Sequence, residues 1–199
     1  LFPGFDTLGT LAHLRQTGYD YSWFILTQKI IEREFALSGS EQNPDLTGKS
    51  ILKVLGRRFG APTPVDTFKK QGVDFIVRNT LPELVAAMNE LAGAALIDAA
   101  ALEREIAARD REIDNAYCKD AQITAIRGAR NYLGDKLIRV ATPHRLLDPK
   151  AGPLIAVRLW VLTRKTLGGL ETDLSARVLK ADGTPLGNVF AAGEVAGFG

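Results

Sequence analysis

Apolar positions recur along this chain with two periods, and the change between them divides it. As far as residue 132 the spacing is mainly helical, and from Leu154 onward it is mainly that of short strands. Leu8, Leu11, Ala12 and Leu14 predict a short helix ended near Gly18. Residues 19–35, with Tyr21, Trp23, Phe24, Ile25, Ile30 and Ile31, fit either a strand or a buried helix. From Thr27 onward Lys29, Glu32, Arg33 and Glu34 suit the exposed side of a helix. Turn formers over residues 38–44 predict a loop. Residues 45–72 read as helical, with breaks at Gly56, Pro62 and Pro64 and a second short helix over 65–70. Residues 73–77 alternate weakly, as a strand would.

The middle of the chain is more sharply marked. Thr80-Leu81-Pro82-Glu83 has the form of a capping box, followed by the apolar stripe Leu84, Val85, Met88 and Leu91 and a stop at Gly93. Asp98 can cap a longer helix on which Leu102, Ile106, Ile113 and Tyr117 share one arc. Arg104, Arg109, Asp110 and Arg111 fall outside that arc and read as a solvated face. A Glu105–Arg109 pair there would contribute about 0.2–0.5 kcal/mol. Residues 123–132 suggest another helix, and Pro143 and Asp148-Pro149 mark a long connection. Residues 154–162 are apolar except for Arg158, as in a largely buried strand. Arg177-Val178-Leu179 and Val189-Phe190-Ala191 flank the turn signal Asp182-Gly183. The expected class is α+β: mainly helical over 1–150, mainly β over 151–199.

Bulk properties exclude several roles. A chain of 199 residues, 46% hydrophobic and 24% charged, suits a globular protein of one large or two small domains. Its 25 basic and 23 acidic residues leave a net charge of +2, too little for a nucleic-acid footprint. One cysteine, Cys118, excludes an intrachain disulfide and fits a cytoplasmic protein. His13 and His144 lie far apart with no Cys-x-x-Cys or His-x-x-x-His partner, so no metal site is expected. No run approaches the roughly 20 apolar residues of a membrane span, and no signal peptide opens the chain.

The candidate chemistry lies in the last 35 residues or so. Gly168-Gly169 allows either a tight turn or a close approach of backbone to a ligand. In Ala191-Ala192-Gly193-Glu194, small residues end a strand before a carboxylate. That carboxylate is either an ordinary surface group or an acceptor for sugar or ribityl hydroxyls. The order Gly-Gly-Leu, Ala-Arg-Val-Leu, Asp-Gly, Ala-Ala-Gly-Glu-Val is more specific than any part of it. It resembles the closing segment of the flavoproteins that include fumarate reductases and 3-ketosteroid delta-1-dehydrogenases. Upstream, Thr80-Leu81-Pro82-Glu83-Leu84 and the course from Asp98 to Asn115 resemble the substrate, or capping, domain of that group. Asp20-Tyr21-Ser22-Trp23-Phe24, with residues 34–45, is similar to a narrower branch of bacterial FAD-binding dehydrogenases.

The resemblance implies that residues 1–150 are a mainly helical capping domain and 151–199 a β segment of an incomplete FAD-binding domain. It implies FAD as cofactor, contacted by Ala192, Gly193, Glu194 and Val195, with Glu194 on the ribityl side. Gly168 and Gly169 would lie near the isoalloxazine and the substrate, a small and possibly steroid-like molecule, and Arg164 and Lys165 would either meet that substrate or fill solvated or structural roles. Hydride would pass between the flavin and a carbon beside an activating carbonyl. Fumarate reductases carry two histidines where this chain has Arg164-Lys165, which argues against fumarate or succinate. Lys165 there would attract an anion or lower the cost of a reduced, anionic flavin. No Gly-x-Gly-x-x-Gly loop for the pyrophosphate occurs in the chain. The chain runs from Leu1 to Gly199, so a catalytically silent piece of a longer enzyme is expected. The catalytic acid and base stay unassigned, with Arg127, Tyr21, Tyr132 and His144 eligible because they titrate or donate. Two other readings are a non-catalytic interaction or scaffold module derived from a flavoprotein, and an independent small-molecule-binding protein.

Overall fold

The computed structural model describes residues 7–34, 52, 56, 60, 63–161 and 169–196. The chain separates into two compact units, Leu1–Trp160 and Val161–Gly199. Helices and small antiparallel sheets are mixed, which is compatible with the α+β class. The strand that opens the 151–199 segment belongs to the sheet of the first unit. The loop expected over 38–44 and most of the helix expected over 45–62 lie outside the described residues.

In the first unit, α1 (Thr7–Thr17) ends before Gly18 and leads to β1 (Tyr21–Thr27) and α2 (Gln28–Glu34). Over its described residues the ambiguous stretch is therefore a strand followed directly by a helix. Pairing decides it: β1 lies antiparallel to β3 (Leu154–Trp160), with Tyr21 opposite Trp160 and Thr27 opposite Leu154. Helix α3 (Thr63–Gln71) precedes β2 (Phe75–Arg78), which pairs antiparallel with the other edge of β3. The order β1-β3-β2 makes β3 the central strand.

Helix α4 (Leu81–Ala92) has its predicted ends. The Thr80 hydroxyl accepts from the Glu83 N–H at 3.4 Å, and the chain turns out at Gly93. Its stripe Leu84, Val85 and Met88 packs with Ile106 of α5 (Ala99–Asp114) against Ile76, Leu154 and Ala156 of the sheet. The opposite face of the sheet buries Leu26, Ile155 and Val157 against Ile31 of α2 and Val65 of α3. Full burial of such side chains contributes about 1.5–3 kcal/mol each. This two-sided cover explains why 154–157 read as a continuous apolar run.

Two expectations for α5 are corrected. The helix stops at Asp114, so Tyr117 is outside it and 90% exposed, not part of the buried arc. Arg109 and Asp110 are buried, not solvated. A strap of residues 140–148 runs over the side of α5 that the helical pattern left to water. The Asp110 carboxylate accepts from the Leu146 N–H at 2.8 Å, the Leu147 N–H at 3.0 Å and Arg109 Nη1 at 3.0 Å. Arg109 also donates from Nε to Gln122 on α6 (Ala121–Ala129). Further fastenings are Glu34 to the Ala141 N–H at 2.8 Å, Arg130 to the Val140 carbonyl at 3.1 Å, and the Arg145–Asp114 ion pair. Gly152 closes the strap at φ +83°, where a Cβ would lie 2.6 Å from Gln28 Cβ. Only glycine lets β3 start so close to α2.

In the second unit, β4 (Arg177–Leu179) and β5 (Pro185–Phe190) form the predicted hairpin. Its turn is held by Asp182, whose carboxylate accepts from the Thr184 N–H at 2.9 Å. Val178 and Ala191 are its buried side chains among the described residues, whereas all six residues of β5 are exposed.

Candidate cofactor-binding turn

The hairpin determines where the Ala-Gly-Glu run goes. The Ala191 N–H donates to the Ala176 carbonyl at 3.0 Å, which extends the β4–β5 pairing by one step. The chain then bends into a short 3-10 turn, Gly193–Ala196. Gly193 has φ +67°, and a Cβ built there would meet nothing within 4 Å. The turn is thus made by backbone freedom and leaves open space beside it. Ala192, Glu194 and Val195 are exposed, and Glu194 has no partner among the described residues.

The segment after the second glycine runs back along β4. The Leu179 N–H donates to the Glu171 carbonyl at 2.8 Å, Thr172 bridges to Val178, and the Asp173 N–H donates to the Arg177 carbonyl at 3.0 Å. At its start the Leu170 N–H donates to the Val195 carbonyl at 2.8 Å. That bond ties the residue after Gly169 to the Gly193–Ala196 turn. Of the eight site residues drawn from the sequence, Gly169, Ala192, Gly193, Glu194 and Val195 are therefore gathered in one small unit. Arg164, Lys165 and Gly168 lie outside the described residues.

A small-residue backbone with open space and a partnerless carboxylate suits a ligand rich in hydroxyls. It lacks the run of N–H groups at a helix start that holds a pyrophosphate. The residues present suit a hydroxylated chain and not a pyrophosphate.

The four titratable candidates lie in the first unit, and most are occupied. Arg127 donates to the carbonyls of Ile113 at 2.9 Å and Asn115 at 3.0 Å. Tyr132 is exposed. His144 is held at both ring nitrogens: Nδ1 to the Thr142 carbonyl at 2.7 Å and Nε2 to Thr27 Oγ1 at 2.8 Å. A carbonyl can only accept, so Nδ1 carries the proton and Nε2 accepts from the Thr27 hydroxyl. Burial holds the imidazole below its ordinary range. Among the described residues no group of His, Cys, Asp and Glu could hold a metal ion. No helix there is long and apolar enough to cross a membrane.

Tyr21 belongs to a cluster that sequence reasoning did not single out. The guanidinium of Arg158 lies 4.9 Å from the Trp160 ring centroid and 5.4 Å from that of Tyr21. Asp74 accepts from Arg158 Nε at 2.7 Å and from Trp160 Nε1 at 3.2 Å, and Arg158 Nη1 reaches the Leu91 carbonyl at 3.1 Å. Tyr21 also packs edge-on against Trp23, centroids 5.8 Å apart. The lone arginine in an apolar strand was the available signal.

Comparison with known proteins agrees with the resemblance. The sequence model of the FAD binding domain family matches residues 4–199. The chain is 63% identical over 201 residues to a KsdD-like steroid dehydrogenase of Mycobacterium tuberculosis (strain CDC 1551 / Oshkosh), covering 100% of this chain and 36% of that protein. It is 60% identical over 200 residues to a KsdD-like steroid dehydrogenase of Mycolicibacterium smegmatis, covering 100% of this chain and 37% of that protein. The chain thus spans little more than a third of the length of these curated relatives.

Proposed function

The chain belongs to the FAD binding domain family, and from that premise we propose that it is part of an FAD-dependent dehydrogenase acting on a steroid-like ketone. The observation that carries this reading is the Leu170–Val195 bond, which holds Gly169 beside the Gly193 turn and the exposed Glu194, unpaired among the described residues. Glu194 accepts hydrogen bonds from ribityl hydroxyls. Ala192, Gly193 and Val195 leave the backbone open to the cofactor, and Gly168 and Gly169 give it room near the substrate. Arg164 and Lys165 supply positive charge to that region. The flavin, when bound, supplies the hydride chemistry. Residues 1–150 act as the capping domain and 151–199 as the segment returning to the flavin domain, its first strand bedded in the capping sheet. The single thiol keeps the cytoplasm as the proposed location.

The visible absorption spectrum of the native gene product tests the reading. Flavin bands are expected, together with weaker FAD retention in Glu194→Ala than in Glu194→Gln. A native protein without flavin, even after FAD is added, sinks it. The 199-residue chain alone is expected to be silent with FAD and an artificial electron acceptor, because the pyrophosphate loop is not among its residues. Measurable turnover refutes that part. A second reading, an interaction module of flavoprotein ancestry, is favoured by one observation: β5 exposes all six of its residues.

A further inference from the structure

The register of β1 on β3 sets Tyr21 opposite Trp160 and Trp23 opposite Arg158, so four large side chains form a two-by-two block on one face of the sheet. The block is rigid for a visible reason. Asp74 bonds both Arg158 and Trp160, and the Leu91 carbonyl takes a second guanidinium N–H. Trp160 stays 50% exposed although Arg158 covers part of it. Ring surface is thereby presented to solvent in a fixed orientation, at little cost in side-chain entropy on binding.

Charge then selects the occupant. Asp74 cancels Arg158 within the block, so a phosphate- or carboxylate-bearing ring finds no free cation there. The indole N–H of Trp160 is already donated to Asp74, so a sugar loses the donor that a tryptophan platform usually offers. What remains favourable is apolar area against an uncharged, fused ring body. In sequence, Trp160 stands four residues before Arg164, the first residue of the run assigned above to the substrate.

We propose that Tyr21, Trp23 and Trp160 form an apolar subsite that determines specificity for an uncharged fused-ring substrate, with Arg158 and Asp74 positioning the rings. The inference rests on the dehydrogenase reading and adds the residues that select its substrate.

Both tryptophans of the chain lie in the block, so its intrinsic tryptophan emission reports on the block alone. The chain would be titrated with progesterone, with cyclohexanone as a one-ring control and AMP as an anionic-ring control. A saturable emission change is expected with progesterone and with neither control at equal concentration. Trp160→Leu should weaken binding by about tenfold or more, and Trp160→Phe by no more than about threefold. Tyr21→Leu, which keeps both reporters, should also weaken it by about threefold or more. Circular dichroism would confirm that each variant is folded. No saturable change with progesterone overturns the subsite, as does unaltered affinity in both Trp160→Leu and Tyr21→Leu. The flavin spectrum of the native protein separates the two claims. An emission change without flavin supports the subsite and removes the dehydrogenase reading. Flavin without an emission change removes the subsite and leaves the enzyme.

Discussion

Ala176 has φ 62°, a left-handed conformation in a residue that carries a Cβ. The bonds around it explain why it persists. Its N–H donates to the Asp173 carbonyl at 2.9 Å and its carbonyl accepts from the Ala191 N–H at 3.0 Å. The Asp173 carboxylate also takes the Ser175 and Arg177 amides. The left-handed state costs an L-residue roughly 1–2 kcal/mol. Ala176→Gly should therefore stabilise the hairpin by about 1 kcal/mol, read as roughly fivefold slower amide exchange at Leu179. His144 gives a prediction with a pH sign. Its folded pKa lies below the unfolded value, chiefly through burial, with the Lys29 and Arg109 charges acting in the same direction. The unfolded chain therefore binds the extra proton first. Stability is full above the unfolded value of 6.5 and falls as pH drops through it toward the folded one. Urea midpoints at about pH 7 and about pH 5 should converge in His144→Gln. Glu34 acts in the opposite sense at lower pH: burial raises its carboxyl, so protonation between 4.5 and that raised value favours the folded state. Neither shift was legible in the sequence, because His144 lies on the strap against Thr27 and Glu34 lies against the strap at Ala141, and no local pattern announces the strap.

At the scale of elements, what the sequence revealed was local and what it hid was paired. Helix α4 could be read from Thr80 to Gly93 because its cap, stripe and stop are all neighbours in sequence. The same holds for the Asp98 cap of α5, which accepts from the Ala101 N–H at 2.6 Å. Strand β1 could not be told from a helix, since its partner Leu154–Trp160 lies far along the chain. Arg109 and Asp110 depart from the helical pattern for a related reason. A charged residue off the apolar arc is normally solvated, and only the later strap turns that side of the helix inward. The buried pair predicts a large effect: Asp110→Ala strands Arg109 and two strap amides, and should cost about 3–5 kcal/mol in urea unfolding. Gly152→Ala combines a left-handed backbone with a Cβ driven against Gln28. It should cost roughly 2 kcal/mol or more, measured in the same way. Gly193 faces open space, so Gly193→Ala should cost only about 1 kcal/mol from its backbone conformation.

For the whole molecule, the change from helical to strand period near residue 150 was legible, but the boundary between compact units falls after Trp160. A period describes one strand's faces and not the sheet it joins. The candidate site was legible as a motif order, and the Leu170–Val195 bond that gathers it was not, because backbone pairing leaves no residue signature. The two units should differ in protection. Strand β3 has both faces covered and both edges paired, whereas β5 is exposed along its length. Amides of residues 154–157 should exchange far more slowly than those of 186–190, and similar rates in the two strands would contradict this account. The central place of β3 also has a mechanical side. Its last residue, Trp160, is followed directly by the second unit, so a pull along the chain at Val161 enters the first unit through its middle strand. Two antiparallel ladders, to β1 and to β2, then share the load. A tether attached to an edge strand would be held by one ladder alone, but here the strand behind the anchor is gripped from both sides over Leu154–Val157.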